Sequence, residues 1–334
     1  MNFVLVALGK IPEYLDDCVL AGEASAVARA FNDLQAAATS IGLKVALGRD
    51  KSLLIPCARV NASLDQSLFP SNLEVDNSGN FTFLGAPIGD ADFCRDHTRE
   101  RINKASKLLS SLGELPDPTV ALTLLRHCAG FCKLVYSTRV VPHTCHAAVL
   151  HSFDNLVRDC LESFLCIGLS DEDWTLSTLS SKTSGLGLRA SSKHCAAAFL
   201  ASSVSSQDLC RKLDPNYSLA QGDPQSPFAL AVADFNTAVP EDKQLGPNLD
   251  APCVDLLQQN LSRQIDSATL QDIKLRADSS SDTGRRAHLE LTSVPRAGSW
   301  LHTVPSKANH TKMDPSLFRT SILRWLLIPL SSTD

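Results

Sequence analysis

Tyr14-Leu15-Asp16-Asp17 places two adjacent carboxylates in an apolar setting, with Ile11-Pro12 before them and Val19-Leu20 after. Like charges held side by side against a hydrophobic layer repel one another unless a cation sits between them. Magnesium prefers carboxylate oxygens completed by phosphate and water. A hairpin tip bearing Asp16 and Asp17 therefore suits metal-assisted phosphoryl transfer, with both aspartates as Mg²⁺ ligands. The same residues also read as a solvent-exposed turn in which aspartate only supplies turn chemistry. Glu13 is the one acidic residue ahead of the pair, and it lies beside it in sequence rather than across a sheet.

Tyr14 and Val19 are strand formers, which suits two short strands turning at the acidic pair. Residues 23–41 then carry Val27, Phe31, Leu34 and Ala38 at helical spacing, and Gly42 supplies a helix stop. Gly48-Arg49-Asp50-Lys51-Ser52 is a polar turn before the strand Leu53-Leu54-Ile55. Residues 76–80 read as a hairpin turn, and residues 81–89 as a strand bent sharply at Gly85 and Pro87. Helical apolar spacing covers residues 101–115 and 119–141, with Pro118 opening the second stretch, and continues over 143–166. The Ala-rich run at 195–202 and residues 255–276 are further helices. Residues 216–226 and 278–284 are polar breaks, the second rich enough in Ser and Asp to be flexible.

The order of these blocks resembles the reverse transcriptases of non-LTR (LINE-like) retrotransposons. Tyr14-Leu15-Asp16-Asp17 is similar to that family's catalytic box. Ile41-Gly42-Leu43 with Lys51-Ser52 is similar to the following helix–strand motif, and Phe83-Leu84-Gly85 to its primer-grip hairpin. Gly185-Leu186-Gly187-Leu188-Arg189 resembles a segment that follows the thumb. Ala297-Gly298-Ser299-Trp300-Leu301, Phe318-Arg319 and Leu323-Arg324-Trp325-Leu326 resemble the tail of that region.

The resemblance implies several roles. Asp16 is the leading metal ligand and Tyr14 braces the primer end. Lys51 is placed to protonate departing pyrophosphate, with an ordinary surface lysine at a turn as the alternative. The resemblance also implies a third metal-binding Asp from a palm strand upstream of the box, with the fingers upstream as well. Only thirteen residues precede Tyr14. The expectation is a weakly held or unoccupied Mg²⁺ site and a chain that does not polymerise alone, engaging an RNA/DNA template-primer only if a palm-and-fingers portion is supplied.

The expected fold is α+β and predominantly helical. A small antiparallel palm-remnant sheet at 1–93 precedes a helical thumb at 94–170 and a helical region at 171–334. The chain has 334 residues, a net charge of −5 and 44% hydrophobic content, which speaks against a protein coating nucleic acid throughout. Between Arg95 and Arg139, however, eight Lys/Arg face four acids. Arg101, Lys104 and Lys107 in that stretch are candidates for duplex-backbone contact, with an ordinary solvated helix face as the alternative.

Neither apolar end is long enough to span a bilayer, and the eleven scattered cysteines suit reduced thiols in an intracellular (cytoplasmic or nuclear) protein. His127, Cys128, Cys132, His143, Cys145 and His146 crowd together but lack the paired spacing of zinc modules. Cys128 with Leu124, Phe131 and Val135 fits a buried helical face instead. The competing class is a non-enzymatic helical protein with a residual RNA-binding or protein-interaction surface. The sequence leaves the oligomeric state open.

Overall fold

The computed structural model describes residues 19–47, 51–56, 65–219, 222–246, 249 and 256–329. The chain is predominantly helical, 64% helix and 4% strand with small two-stranded sheets. It divides into two compact units, Met1–Phe93 and Cys94–Asp334.

In the first unit, α1 (Ala24–Ser40) buries Val27, Ala28 and Phe31. It ends where Gly42 N–H and Leu43 N–H turn back onto the carbonyls of Thr39 and Ala38, the helix stop expected at Gly42. Val27 and Phe31 pack with Leu20, Leu54, Phe69 and Leu73 in one small core. Strands β1 (Leu53–Leu54) and β2 (Glu74–Val75) pair in parallel, Leu53 opposite Glu74. This departs from the expected antiparallel arrangement, because the long connection between them brings the chain back in the same direction. Strands β3 (Phe81–Phe83) and β4 (Ala86–Ile88) are antiparallel, with Phe83 opposite Ala86. Their two-residue loop is Leu84-Gly85, both at positive φ (48° and 75°), as a type I′ hairpin requires. The hairpin turn is thus here and not at residues 76–80, which join strands of different sheets. Pro87 is tolerated because a two-stranded ribbon consists only of edges.

Helix α2 (Ala91–Gly113) starts ten residues before the expected stretch. Asp90 causes the early start, its carboxylate accepting from Phe93 N–H while Asn80 clasps it through two 2.8 Å bonds. Asp117 caps α3 (Pro118–Leu124), with Pro118 in the first turn. The stretch 119–141 is not one helix. Leu125–Ala129 is a π turn closed by Gly130 N–H on the Leu125 carbonyl at 2.7 Å. A 3₁₀ turn at Phe131–Lys133 and α4 (Val135–Val140) come next.

Helix α5 (His143–Leu165) runs through the centre of this unit and fully buries Leu150, Phe153 and Leu161. After α6 (Asp171–Thr178), helix α7 (Ser191–Leu213) packs on α4, α5, α8 (Pro227–Thr237) and α9 (Gln258–Ser279). The break expected at residues 278–284 shrinks to a turn at residues 280–282 between α9 and α10 (Thr283–Thr292), with Asp282 capping α10 and Arg286 paired to Asp278 at 2.6 Å. Asp314 caps the last helix, α11 (Pro315–Leu326). One hydrophobic core joins residues of α2, α3 and α5 to Ile273, Leu289 and Ile322, so residues on both sides of position 170 share it. A second core joins α7, α8 and α9. Among the described residues no helix is long and apolar enough to cross a membrane.

Candidate nucleic-acid interface

Tyr14, Asp16 and Asp17 lie outside the described residues. Lys51 is exposed in the turn leading into β1. Phe83, Leu84 and Gly85 form the closed end of the β3–β4 hairpin, with Phe83 half-buried and Leu84 exposed. These residues belong to the first unit, whereas Arg101, Lys104 and Lys107 belong to the second.

The sequence of α2 sets out its two sides. Cys94, Thr98, Ile102, Ala105 and Leu109 are buried, and Arg99, Asn103, Lys104 and Lys107 face solvent. The solvent side is not uniformly free cation. Arg99 pairs with Asp96. Arg101 is half-buried, its guanidinium carbon 5.5 Å from the centre of the exposed Tyr136 ring. Exposed aromatic rings and arginines together are what single-strand-binding surfaces use to stack bases. Burial, with Arg101 and Lys104 adding to it against Glu100, holds His97 below the usual imidazole range. Along α2 as a whole, five Lys/Arg stand against three acids.

A second basic locus centres on Arg126, one of the eight Lys/Arg between Arg95 and Arg139. Its Nε and Nη2 both donate to the Leu186 carbonyl (2.9 and 2.6 Å), and Nη1 donates to the Leu301 carbonyl at 2.6 Å. Two glycines make the seat. A Cβ on Gly185 would stand 2.0 Å from the Leu179 carbonyl oxygen, and Gly187 holds φ at 78° with its open side 3.3 Å from Arg126 Nε. Trp325 Nε1 donates to the Gly185 carbonyl at 3.2 Å. Trp300 stands edge-on to both Trp325 and Phe318. The blocks at 185–189, 297–301 and 318–326 thus meet around one arginine. No carboxylate pairs with Arg126 among the described residues; burial alone lowers its pKa.

The Cys/His cluster does not form the buried face expected of it. Cys128 and Cys132 are exposed, while Leu125, Ala129 and Leu134 are buried. The reason is the break in the helix: Cys128 lies in the π turn and Cys132 in the 3₁₀ turn beyond Gly130, so the two do not share one helical face. Among the described residues no three His, Cys, Asp or Glu side chains converge to hold a metal.

Other polar groups are enclosed in the helical core. His146 Nδ1 lies 3.2 Å from Thr98 Oγ1, and burial, with His143 adding to it, pushes the imidazole down to about 4. His194 and Asp266 approach to 3.4 Å with both side chains buried, and burial lowers His194 despite that carboxylate. Asp154 accepts from Ser191 N–H, Ser192 N–H and Ser192 Oγ, so α5 caps the start of α7. These groups hold helices together, and their burial keeps them from any substrate.

No family model matches the chain, and neither curated proteins nor solved structures match it.

Proposed function

We propose that the chain is part of a non-LTR-type reverse transcriptase, in which Asp16 and Asp17 belong to a Mg²⁺-dependent polymerase centre and the second unit serves as the helical thumb and its following region. The order of the motif blocks from Tyr14 to Leu326 carries this reading. The meeting of three of those blocks around Arg126 supports it, since segments far apart in sequence then have a shared reason for their glycines and aromatics. Two-metal transfer needs carboxylates clamping both ions about 4 Å apart, and an adjacent Asp pair alone does not complete two octahedral shells. Asp16 and Asp17 by themselves are therefore expected to hold Mg²⁺ weakly. The proposed setting is intracellular, where the free thiols stay reduced.

Primer extension on an RNA template with Mg²⁺ tests the reading. The 334-residue chain is assayed alone and in mixture. Mixed with a palm-and-fingers segment of the same family it should extend the primer, and Asp16→Ala or Asp17→Ala should abolish that activity. Extension by the mixture that is indifferent to both substitutions would remove the pair from catalysis.

The basic excess along α2 favours a second reading, a non-enzymatic helical protein that binds RNA. It predicts salt-dependent binding that disappears when Arg101, Lys104 and Lys107 are reversed to Glu, with no extension in any mixture.

A further inference from the structure

Around Arg126 the chain gathers basic side chains from three separate turns. His127 is next to Arg126 in the π turn, and His302 is next to Leu301, whose carbonyl Arg126 Nη1 holds at 2.6 Å. Ser181 Oγ meets His302 Nε2 at 2.6 Å. That bond draws in Lys182, the neighbour of Ser181 in the 3₁₀ turn Ser181–Thr183. The two hydrogen bonds stitch the π turn, the 181–183 turn and the 297–302 turn together. His127, Lys182 and His302 are all exposed. None of them, nor Arg126, is in an ion pair among the described residues, although the chain as a whole carries more acid than base. Basic groups gathered without counter-ions repel one another when charged, and a bound anion relieves that repulsion. His302 registers that repulsion: after burial, Arg126, His127 and Lys182 hold it below the usual imidazole range, and no acidic group offsets them.

We propose that Lys182, His302 and His127, backed by Arg126, form a phosphodiester-binding site that takes one backbone phosphate of a bound nucleic-acid strand. A tetrahedral oxyanion can accept from an ammonium and from imidazole N–H groups at once, with Ser181 Oγ holding the His302 ring in place. The carbonyls that hold Arg126 keep its charge fixed beneath the site without spending it on a carboxylate. The site is distinct from the α2 side and rests on the proposed function only in naming nucleic acid as the source of the phosphate.

Two measurements on the full chain test it. The first is fluorescence anisotropy of a labelled RNA–DNA duplex over a salt series, for the wild type, Lys182→Ala, His302→Gln and a triple charge reversal at Arg101, Lys104 and Lys107. The second tracks the histidine ring signals by NMR as inorganic phosphate is added, with His302→Gln giving the assignment. Lys182→Ala should weaken duplex binding roughly fivefold and lower the salt slope by about one. Phosphate should move the His302 signals in the wild type and not in Lys182→Ala. Duplex binding by Lys182→Ala and His302→Gln with unchanged affinity and slope, while the α2 variant loses it, overturns the inference and leaves the proposed function standing. Phosphate shifts at His302 without any duplex binding overturn the nucleic-acid assignment and the proposed function together. Silence in both measurements overturns the site itself.

Discussion

Thr98 and His146 meet inside the second unit, and the ring is held neutral there because burial opposes its charged form. An unfolded histidine takes a proton near pH 6.5, while folded His146 resists until about 4. Between those values the unfolded state binds more protons, so stability falls as pH falls through that window and levels off below it. His146 alone should therefore remove on the order of 2 kcal/mol of stability between pH 7 and pH 5. Burial lowers His143 as well, against a partial pull from Asp234 4.0 Å away, and lowers His194; both losses have the same sign. Urea unfolding at the two pH values checks this. His146→Gln should flatten the dependence by the His146 share, and an unchanged slope would show that the ring is already protonated in the fold. Nothing in the sequence marked His146 apart from its neighbours His143 and Cys145, because the shift depends on what α2 brings against α5.

Helix termini were readable in the sequence where their signals are local. Gly42 stops α1, and Asp117-Pro118 starts α3, since a cap needs only the residues beside it. The start of α7 shows the opposite case. Ala190 offers no side-chain cap there, and the carboxylate comes from Asp154, thirty-seven residues earlier. Asp154→Ala should cost about 2 kcal/mol and speed hydrogen exchange in the first turn of α7. Exchange faster only elsewhere would mean the helix start is held by packing alone. The π turn at Leu125–Ala129 was equally hidden, because apolar spacing over 119–141 fits one straight helix as well as a broken one. Its consequence is chemical. Native alkylation at neutral pH should reach Cys128 and Cys166, which are exposed, and spare Cys160 and Cys195. Burial pushes these two thiols up to about 12, with Asp234 adding to it at Cys195, so they stay protonated and unreactive until the protein unfolds. Peptide mass mapping after brief iodoacetamide treatment reads this directly. Labelling of Cys160 as fast as Cys128 would contradict its buried place on α5, and a protected Cys128 would contradict the broken helix.

The two units differ in how they could stand alone. Among its described residues the first gathers seven buried apolar side chains in its core, around α1 and two-residue strands. Sheets of that size have little stability of their own. The second closes a far larger core, in which Phe153, Phe164 and Leu161 of α5 meet Ile273 of α9 and Ile322 and Leu326 of α11. Buried area scales with size faster than the entropy of ordering is offset in small domains, so the two should respond differently to separation. A fragment beginning at Asp90, which keeps the α2 cap, should fold and melt cooperatively close to the full chain. A fragment of residues 1–93 should show little ordered helix by circular dichroism at 25 °C. The pattern of residues 101–326 made the helical mass of the second unit predictable, whereas the parallel β1–β2 pair was not. Its register, Leu54 opposite Val75, depends on a return of the chain that no local pattern specifies. The separation is therefore also a test of the pairing. If residues 1–93 fold alone with a sharp thermal transition, the β1–β2 pair and its seven-residue core hold more stability than their size suggests. If the fragment from Asp90 fails to fold, the second unit depends on residues before it, and the division of the chain at Phe93 is not a division of stability.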